Sequence, residues 1–236
     1  MWCATLLALA APVHAAPPYI TDDPEPTDTG HWEVYNFALG NHVPGTTAGQ
    51  AGLDFNYGAA ENLQLTAVFP LQYQNQGQLG LGNIELAAKY RFLDPAEDSV
   101  LPHLAFFPRL FAPTAGRQFG TGHPNLLLPI WAGKDWGQSS LFGGGGYTIN
   151  PGAGNRNYWL GGIVLSRAVT EAFSLGVELY RQTGTTTDGR DFTGLNIGAT
   201  YRFTEHWSLL LSGGPGLENA RREGEYAFYA ALKADY

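Results

Sequence analysis

The feature that most constrains this chain is a series of about twelve segments, each near ten residues long, in which apolar and polar side chains alternate. Alternation with period two puts successive side chains on opposite faces of an extended strand, so each segment reads as a strand with one apolar and one polar face. The segments fall at about 31–40, 49–58, 63–74, 82–93, 101–113, 124–134, 139–150, 157–169, 173–183, 193–203, 207–216 and 225–236, separated by Gly, Asn, Asp and Pro clusters. Ile84, Leu86, Ala88, Tyr90 and Phe92 oppose Asn83, Glu85, Lys89 and Arg91. Phe173, Leu175, Val177 and Leu179 oppose Ser174, Gly176, Glu178 and Tyr180, and Leu195, Ile197, Ala199, Tyr201 and Phe203 oppose Asn196, Thr200 and Arg202.

Composition decides which solvent meets the apolar face. Charged residues are 14% of the chain, against roughly 25% in an ordinary soluble domain. Mean hydropathy is −0.15, and beyond the N-terminus no stretch reaches the ~18 apolar residues of a membrane helix. A chain short of charge and without apolar runs hides its hydrophobicity in alternation, as a transmembrane β-barrel does. The polar faces are mostly Gly, Asn, Gln, Ser and Thr with isolated charges, which suits a narrow wet lumen. The expected fold is therefore all-β: a closed antiparallel barrel of about 12 strands in a bacterial outer membrane.

Short and long connections should alternate. Glu61, Glu171 and Glu205 sit at one position of three similar hairpins, each linking an even-numbered strand to the next, whereas 41–48, 114–123, 184–192 and 218–224 read as longer polar loops. Short turns face the periplasm in such barrels and long loops face outward, so both chain ends are expected on the periplasmic side. The C-terminal strand carries Phe228, Ala230, Leu232, Ala234 and terminal Tyr236 at alternate positions, a pattern resembling the signal read by the outer-membrane assembly machinery.

Ahead of the barrel, residues 1–16 read as a signal peptide with an apolar Ala/Leu stretch and a small residue at Ala15 and Ala16. Its positive n-region is missing, so a start upstream of Met1 is expected. The single cysteine, Cys3, lies in this segment, so the mature chain is expected to be without disulfides or thiol chemistry. Residues 17–30 form an acidic, Pro-rich leader, and residues 31–236 the barrel. The leader carboxylates Asp22, Asp23, Glu25 and Asp28 lack the spacing of a calcium loop. It reads as an extended periplasmic segment, with a small lumen plug as the alternative.

The leader and first strand, Pro17-Pro-Tyr-Ile-Thr-Asp-Asp-Pro-Glu-Pro-Thr-Asp-Thr-Gly-His-Trp-Glu33, resemble the opening of the family named for a MetA pathway of phenol degradation. The resemblance implies an outer-membrane barrel and a link to uptake of aromatic compounds. It brings no catalytic or binding residues with it.

Among functional candidates, the inward charges Asp54, Glu85, Lys89, Arg91, Arg109, Glu178 and Arg202 are expected to line the lumen, either setting selectivity or closing it by pairing across strands. Net charge of −8 and the absence of a basic run argue against nucleic acid. The histidines His31, His42, His103, His123 and His206 show no ligand spacing, so neither metal nor cofactor is expected. Gly143–146 has no following Gly-Lys-Ser/Thr and reads as relief of crowding or strong local bending in a strand. Trp32, Trp131, Trp136, Trp159, Tyr90, Phe203 and Tyr236 are candidates for the interfacial aromatic belt. The leading expectation is a non-enzymatic channel passing small organic solutes, aromatic or hydrophobic ones among them, with outer-membrane lipid as its surroundings. The rival readings are a sealed structural or surface-interaction barrel and an outer-membrane hydrolase, for which no serine sits in a nucleophile motif.

Overall fold

A computed structural model describes residues 18–236 except 75, 76, 97, 117, 118 and 121. The expected signal peptide, residues 1–16, lies outside the described residues. The strands are β1 (Trp32–Val43), β2 (Thr46–Ala60), β3 (Leu63–Gln74), β4 (Gln78–Leu81), β5 (Glu85–Leu93), β6 (His103–Phe106) and β7 (Arg109–Phe111). They continue with β8 (Asn125–Trp136), β9 (Ser139–Ile149), β10 (Tyr158–Thr170), β11 (Phe173–Gln182), β12 (Phe192–Arg202), β13 (Trp207–Glu218) and β14 (Tyr226–Asp235). One helical turn, α1 (Ala220–Glu223), precedes β14.

Every pairing between these strands is antiparallel, and β1 pairs with β14, so the sheet closes on itself. The seam is finished by reciprocal backbone hydrogen bonds between Trp32 and Tyr236, at 2.7 and 2.9 Å. Closure is what hydrocarbon demands, since lipid offers no partner to a free N–H or C=O. β4 and β5 both pair with β3 and together fill one position in the wall, as do β6 and β7 between β5 and β8. The wall thus has twelve strand positions, in agreement with the twelve alternating segments.

The second of these breaks has a clear cause. Pro108 has no N–H to give the ladder. Around it, Phe107 N–H donates to the Pro129 carbonyl at 3.2 Å and Ala88 N–H to the Pro108 carbonyl at 3.3 Å, so the neighbouring strands are still stitched together.

One connection differs from expectation. The 41–48 stretch is strand rather than long loop: β1 and β2 run on with unbroken pairing to Val43 and Thr46 and turn at Pro44–Gly45, where Gly45 takes φ +86°. The Asn, His and Gly residues that suggest a loop are carried by the ladder. A Cβ on Gly40 or Gly49 would lie within 2.7 Å of the Tyr73 hydroxyl, so these glycines leave room for an aromatic ring laid over the sheet. The connections at 112–124, 150–157, 183–191 and 219–225 are long, whereas the opposite rim has two-residue turns at 61–62, 137–138 and 171–172. The start of β1 and the end of β14 meet at the short-turn rim, where Trp32 pairs with Tyr236.

The two faces of the wall behave as alternation requires. Leu86, Tyr90, Phe92, Leu175, Val177, Leu179, Ile197 and Leu211 are exposed on the outside, while Glu85, Lys89, Glu178, Asn196 and Ser208 are buried within. Large apolar exposure outside polar burial inverts a soluble protein and fits a hydrocarbon solvent. The Gly143–146 run lies where three backbones approach closely: a Cβ on Gly146 would stand 2.5 Å from Pro129 Cα, and one on Gly145 2.3 Å from the Leu160 carbonyl oxygen. Relief of crowding is its role.

Candidate functional site: a leader-lined lumen

The leader enters the barrel. Residues 18–28 run around the inner wall and meet its strands in their order around the barrel. Extended at roughly 3.3 Å per residue, such a segment is long enough to reach around most of a lumen of this size. Asp28 lies against Gly58 of β2, where a Cβ would come within 1.9 Å of the Asp28 carbonyl oxygen. The Thr27 N–H and hydroxyl both donate to Gln64 Oε1 of β3, at 2.8 and 3.1 Å. Gln64 in turn donates to Asn56 at 2.7 Å and to Thr66 at 3.0 Å, so the polar inner face of β2 and β3 is knitted to the leader.

At β5 the contact is ionic. Lys89 Nζ lies 2.9 Å from Asp22 and 3.3 Å from Asp23, and donates to the Glu25 carbonyl at 3.1 Å. All three donors of the ammonium are used, which is what a buried Lys needs. Arg91 pairs with the Glu25 carboxylate and, at 3.1 Å, with Asp94 at the rim. Complete burial pushes the Asp23 carboxyl up, to about 6, while Lys89 pulls the other way.

Beyond β5 the leader packs on bare backbone. Pro24 fills the space over Gly133 of β8. A Cβ on Gly162 of β10 would stand 2.0 Å from Thr21 Oγ1, and one on Gly176 of β11 or Gly198 of β12 would strike the Tyr19 side chain. Thr21 N–H donates to Glu178 Oε1 at 2.6 Å, and Asn196 donates to Glu178 Oε2 at 2.7 Å. Both oxygens of this fully buried carboxylate are therefore satisfied. Burial, with Glu178 nearby, holds the Tyr19 hydroxyl above the usual phenol range. Ser212 of β13 caps the path by donating to the Pro18 carbonyl. A plug-like leader is thus the observed arrangement, and the extended periplasmic reading is set aside.

The sequence-predicted charges divide accordingly. Lys89, Arg91 and Glu178 hold the leader. Glu85 and Arg109 hold each other across β5 and β7, with two hydrogen bonds of 2.6 and 3.0 Å. Asp54 faces the lumen and accepts from Asn56 at 2.9 Å. Arg202 lines the cavity at its short-turn mouth, where β12 ends, and donates to the Glu171 carbonyl at 2.9 Å. Trp131 departs from expectation, being 1% exposed and inward-facing beside Gly133 rather than in the outer belt. Trp32, Trp136, Trp159, Tyr90, Phe203 and Tyr236 are exposed as the belt requires.

What the leader leaves open is one cavity of about 1260 Å³, lined by residues from both mouths, Asn41, Gln74 and Phe192 at one and Glu171, Arg202 and Asp235 at the other. Part of its wall is apolar: Tyr35, Phe37, Leu39, Val68, Leu210 and Tyr229 form a contiguous patch on β1, β3, β13 and β14. Among the described residues, eleven carboxylates and four Lys or Arg line the cavity, so its field is negative. The leader's path and the inner patch escape sequence reasoning, which holds the plug only as an alternative; the signal that could have found the path is the inward glycines on neighbouring strands.

The family model described as "Putative MetA-pathway of phenol degradation" matches residues 27–233. No curated protein matches the sequence. Among solved structures, the COG4313 outer membrane channel from Pseudomonas putida F1 superposes with a TM-score of 0.72 at 17% identity, covering 91% of this chain and 98% of that one. The KdgM porin, solved in complex with disordered oligogalacturonate, gives 0.55 at 10% identity over 87% of this chain and 98% of its own. The translocator domain of the autotransporter NalP from Neisseria meningitidis gives 0.52 at 13% identity, covering 89% of each chain.

Proposed function

Because this chain belongs to the phenol-degradation MetA-pathway family and folds as a bacterial outer-membrane barrel like known channels, we propose that it passes small organic solutes passively, aromatic and hydrophobic ones among them. The observation that carries this reading is the cavity that reaches both mouths beside an apolar inner wall. An aromatic solute would lie against Phe37, Leu39 and Tyr229, burying apolar surface at about 25 cal/mol per Å². Weak, extended contact of this kind suits passage, since a solute held tightly does not leave.

Selectivity falls to the charges that remain accessible. Asp54 and the Glu85–Arg109 pair stand across the passage, and the excess of carboxylates favours cations over anions. Lys89, Arg91 and Glu178 act on the pathway through the leader, whose position sets the bore. Chemistry plays no part in this reading, and the C-terminal strand, residues 228–236, is the segment offered to the assembly machinery.

Reconstitution into planar bilayers tests the proposal. Discrete, cation-preferring current steps, together with entry of phenol into proteoliposomes faster than into protein-free liposomes, are expected. Silent bilayers with no solute entry would favour the sealed barrel instead.

A further inference from the structure

The long-loop rim carries a second concavity, outside the conduction pathway, of about 420 Å³ and lined by Arg190, Asn219, Ala220, Arg221 and Arg222. The chain has only 13 Lys and Arg, and three of them meet here. Among the described residues, no hydrogen bond or ion pair engages any of the three guanidinium groups, although most other cations of the barrel are paired. Like charges gathered without a counter-charge repel one another, and an anion between them removes that cost.

The frame under these side chains is fixed. Arg190 N–H donates to Glu223 Oε1 at 3.0 Å and Asn219 Nδ2 to the Asp191 carbonyl at 2.6 Å, joining the 183–191 loop to the 219–225 loop. Asn41 donates to the Glu223 carbonyl at 3.1 Å, and Glu225 N–H to the His42 carbonyl at 2.6 Å, which ties both loops to the end of β1. Preorganised donors bind with less loss of freedom than donors on a slack loop. Of the neighbouring carboxylates among the described residues, Asp191 and Glu218 are taken by Arg181 and Glu223 is engaged by the Arg190 backbone, while Asp188 and Glu225 are exposed and form no ion pair with the three arginines.

Height in the membrane narrows the ligand. Leu217, 57% exposed, is the last outward apolar side chain of β13, and the arginines begin four residues later. β13 ends at Glu218, and Arg221 and Arg222 sit on the single turn α1 that follows, at most roughly 3.3 Å per residue beyond Leu217, which puts them within about 13 Å of it and at headgroup depth of the outer leaflet. We propose that Arg190, Arg221 and Arg222 form a binding site for the phosphate group of an outer-leaflet glycolipid. Basic side chains at this depth are the chemistry that holds anionic headgroups.

The test uses the full mature chain in detergent, titrated with a bisphosphorylated glucosamine-disaccharide lipid, with the same lipid stripped of phosphate, and with inorganic phosphate. The expected result is saturable binding of the phosphorylated lipid, at least tenfold weaker for the stripped lipid and for the R190Q/R221Q/R222Q protein, and weakened by salt. All three residues are exposed, so the triple variant should retain heat-modifiable barrel mobility and unchanged bilayer conductance. Equal binding of both lipids, or undiminished binding by the triple variant, would overturn the site. Inorganic phosphate binding as tightly as the lipid would overturn the lipid assignment in favour of a free-anion site.

Discussion

Two regions of the lumen share one alternating sheet and end differently. Over β8 to β12 the inner face is largely filled: Trp131, Phe142 and Val164 are buried, and Pro24, Thr21 and Tyr19 press onto glycines of the wall. Over β13, β14, β1 and the parts of β2 and β3 beyond the contacts of Thr27 and Asp28, the inner face keeps its side chains and stays open, with Leu210, Tyr229, Phe37 and Asp54 on the cavity. The difference lies in what each wall gives up. Where neighbouring strands carry glycine inward, backbone from another segment moves in; where they carry Phe, Tyr and Asp, solute space remains.

Substitutions can break that comparison, beginning with the most costly. Lys89→Met, where the leader crosses β5, strands Asp22 and Asp23, so a loss of about 3–5 kcal/mol of leader docking and folding stability is expected from denaturant titrations. Protease cleavage within residues 18–28 should rise with it. If stability and cleavage stay as in the parent, the leader is not held by that ion pair.

Strand β12 carries a sharper contrast on three nearby positions. Ile197→Arg turns a charge into lipid and should cost about 2–4 kcal/mol, with Thr200→Arg costing much less because it faces water. Equal losses would show the faces to be misassigned. Gly198→Leu should cost about 1–3 kcal/mol by displacing Tyr19, and raise conductance as the leader shifts. The smallest stability effect is expected on the open side: Asp54→Asn should change folding by under about 0.5 kcal/mol while reducing cation over anion preference in reversal-potential measurements.

Much of this was legible beforehand. Twelve alternating segments foretell twelve wall positions, and Glu85, Lys89, Glu178 and Asn196 face inward as the parity of their strands requires. Parity failed at Trp131 because β8 is apolar on both faces: Leu127 and Pro129 lie inward and Leu128 and Ile130 outward, so alternation carries no sign there. The leader's path was hidden for another reason. Its partners are 30 to 194 residues away, and a Pro-rich acidic segment has no period from which to read an orientation. The complement of Asp22, Asp23 and Glu25 with inward Lys89 and Arg91, and the inward glycines of neighbouring strands, are the traces it leaves in the sequence. Which of the seven inward charges remain available to solute followed from the leader, so selectivity was the least legible part.

The most direct test of a lumen half filled by its own leader is single-channel conductance of the mature protein beside a variant lacking residues 18–27. The account predicts small, discrete, cation-preferring steps from the first and several-fold larger steps from the second, at equal barrel content by circular dichroism. Identical conductance in the two, or silence from both, would contradict it.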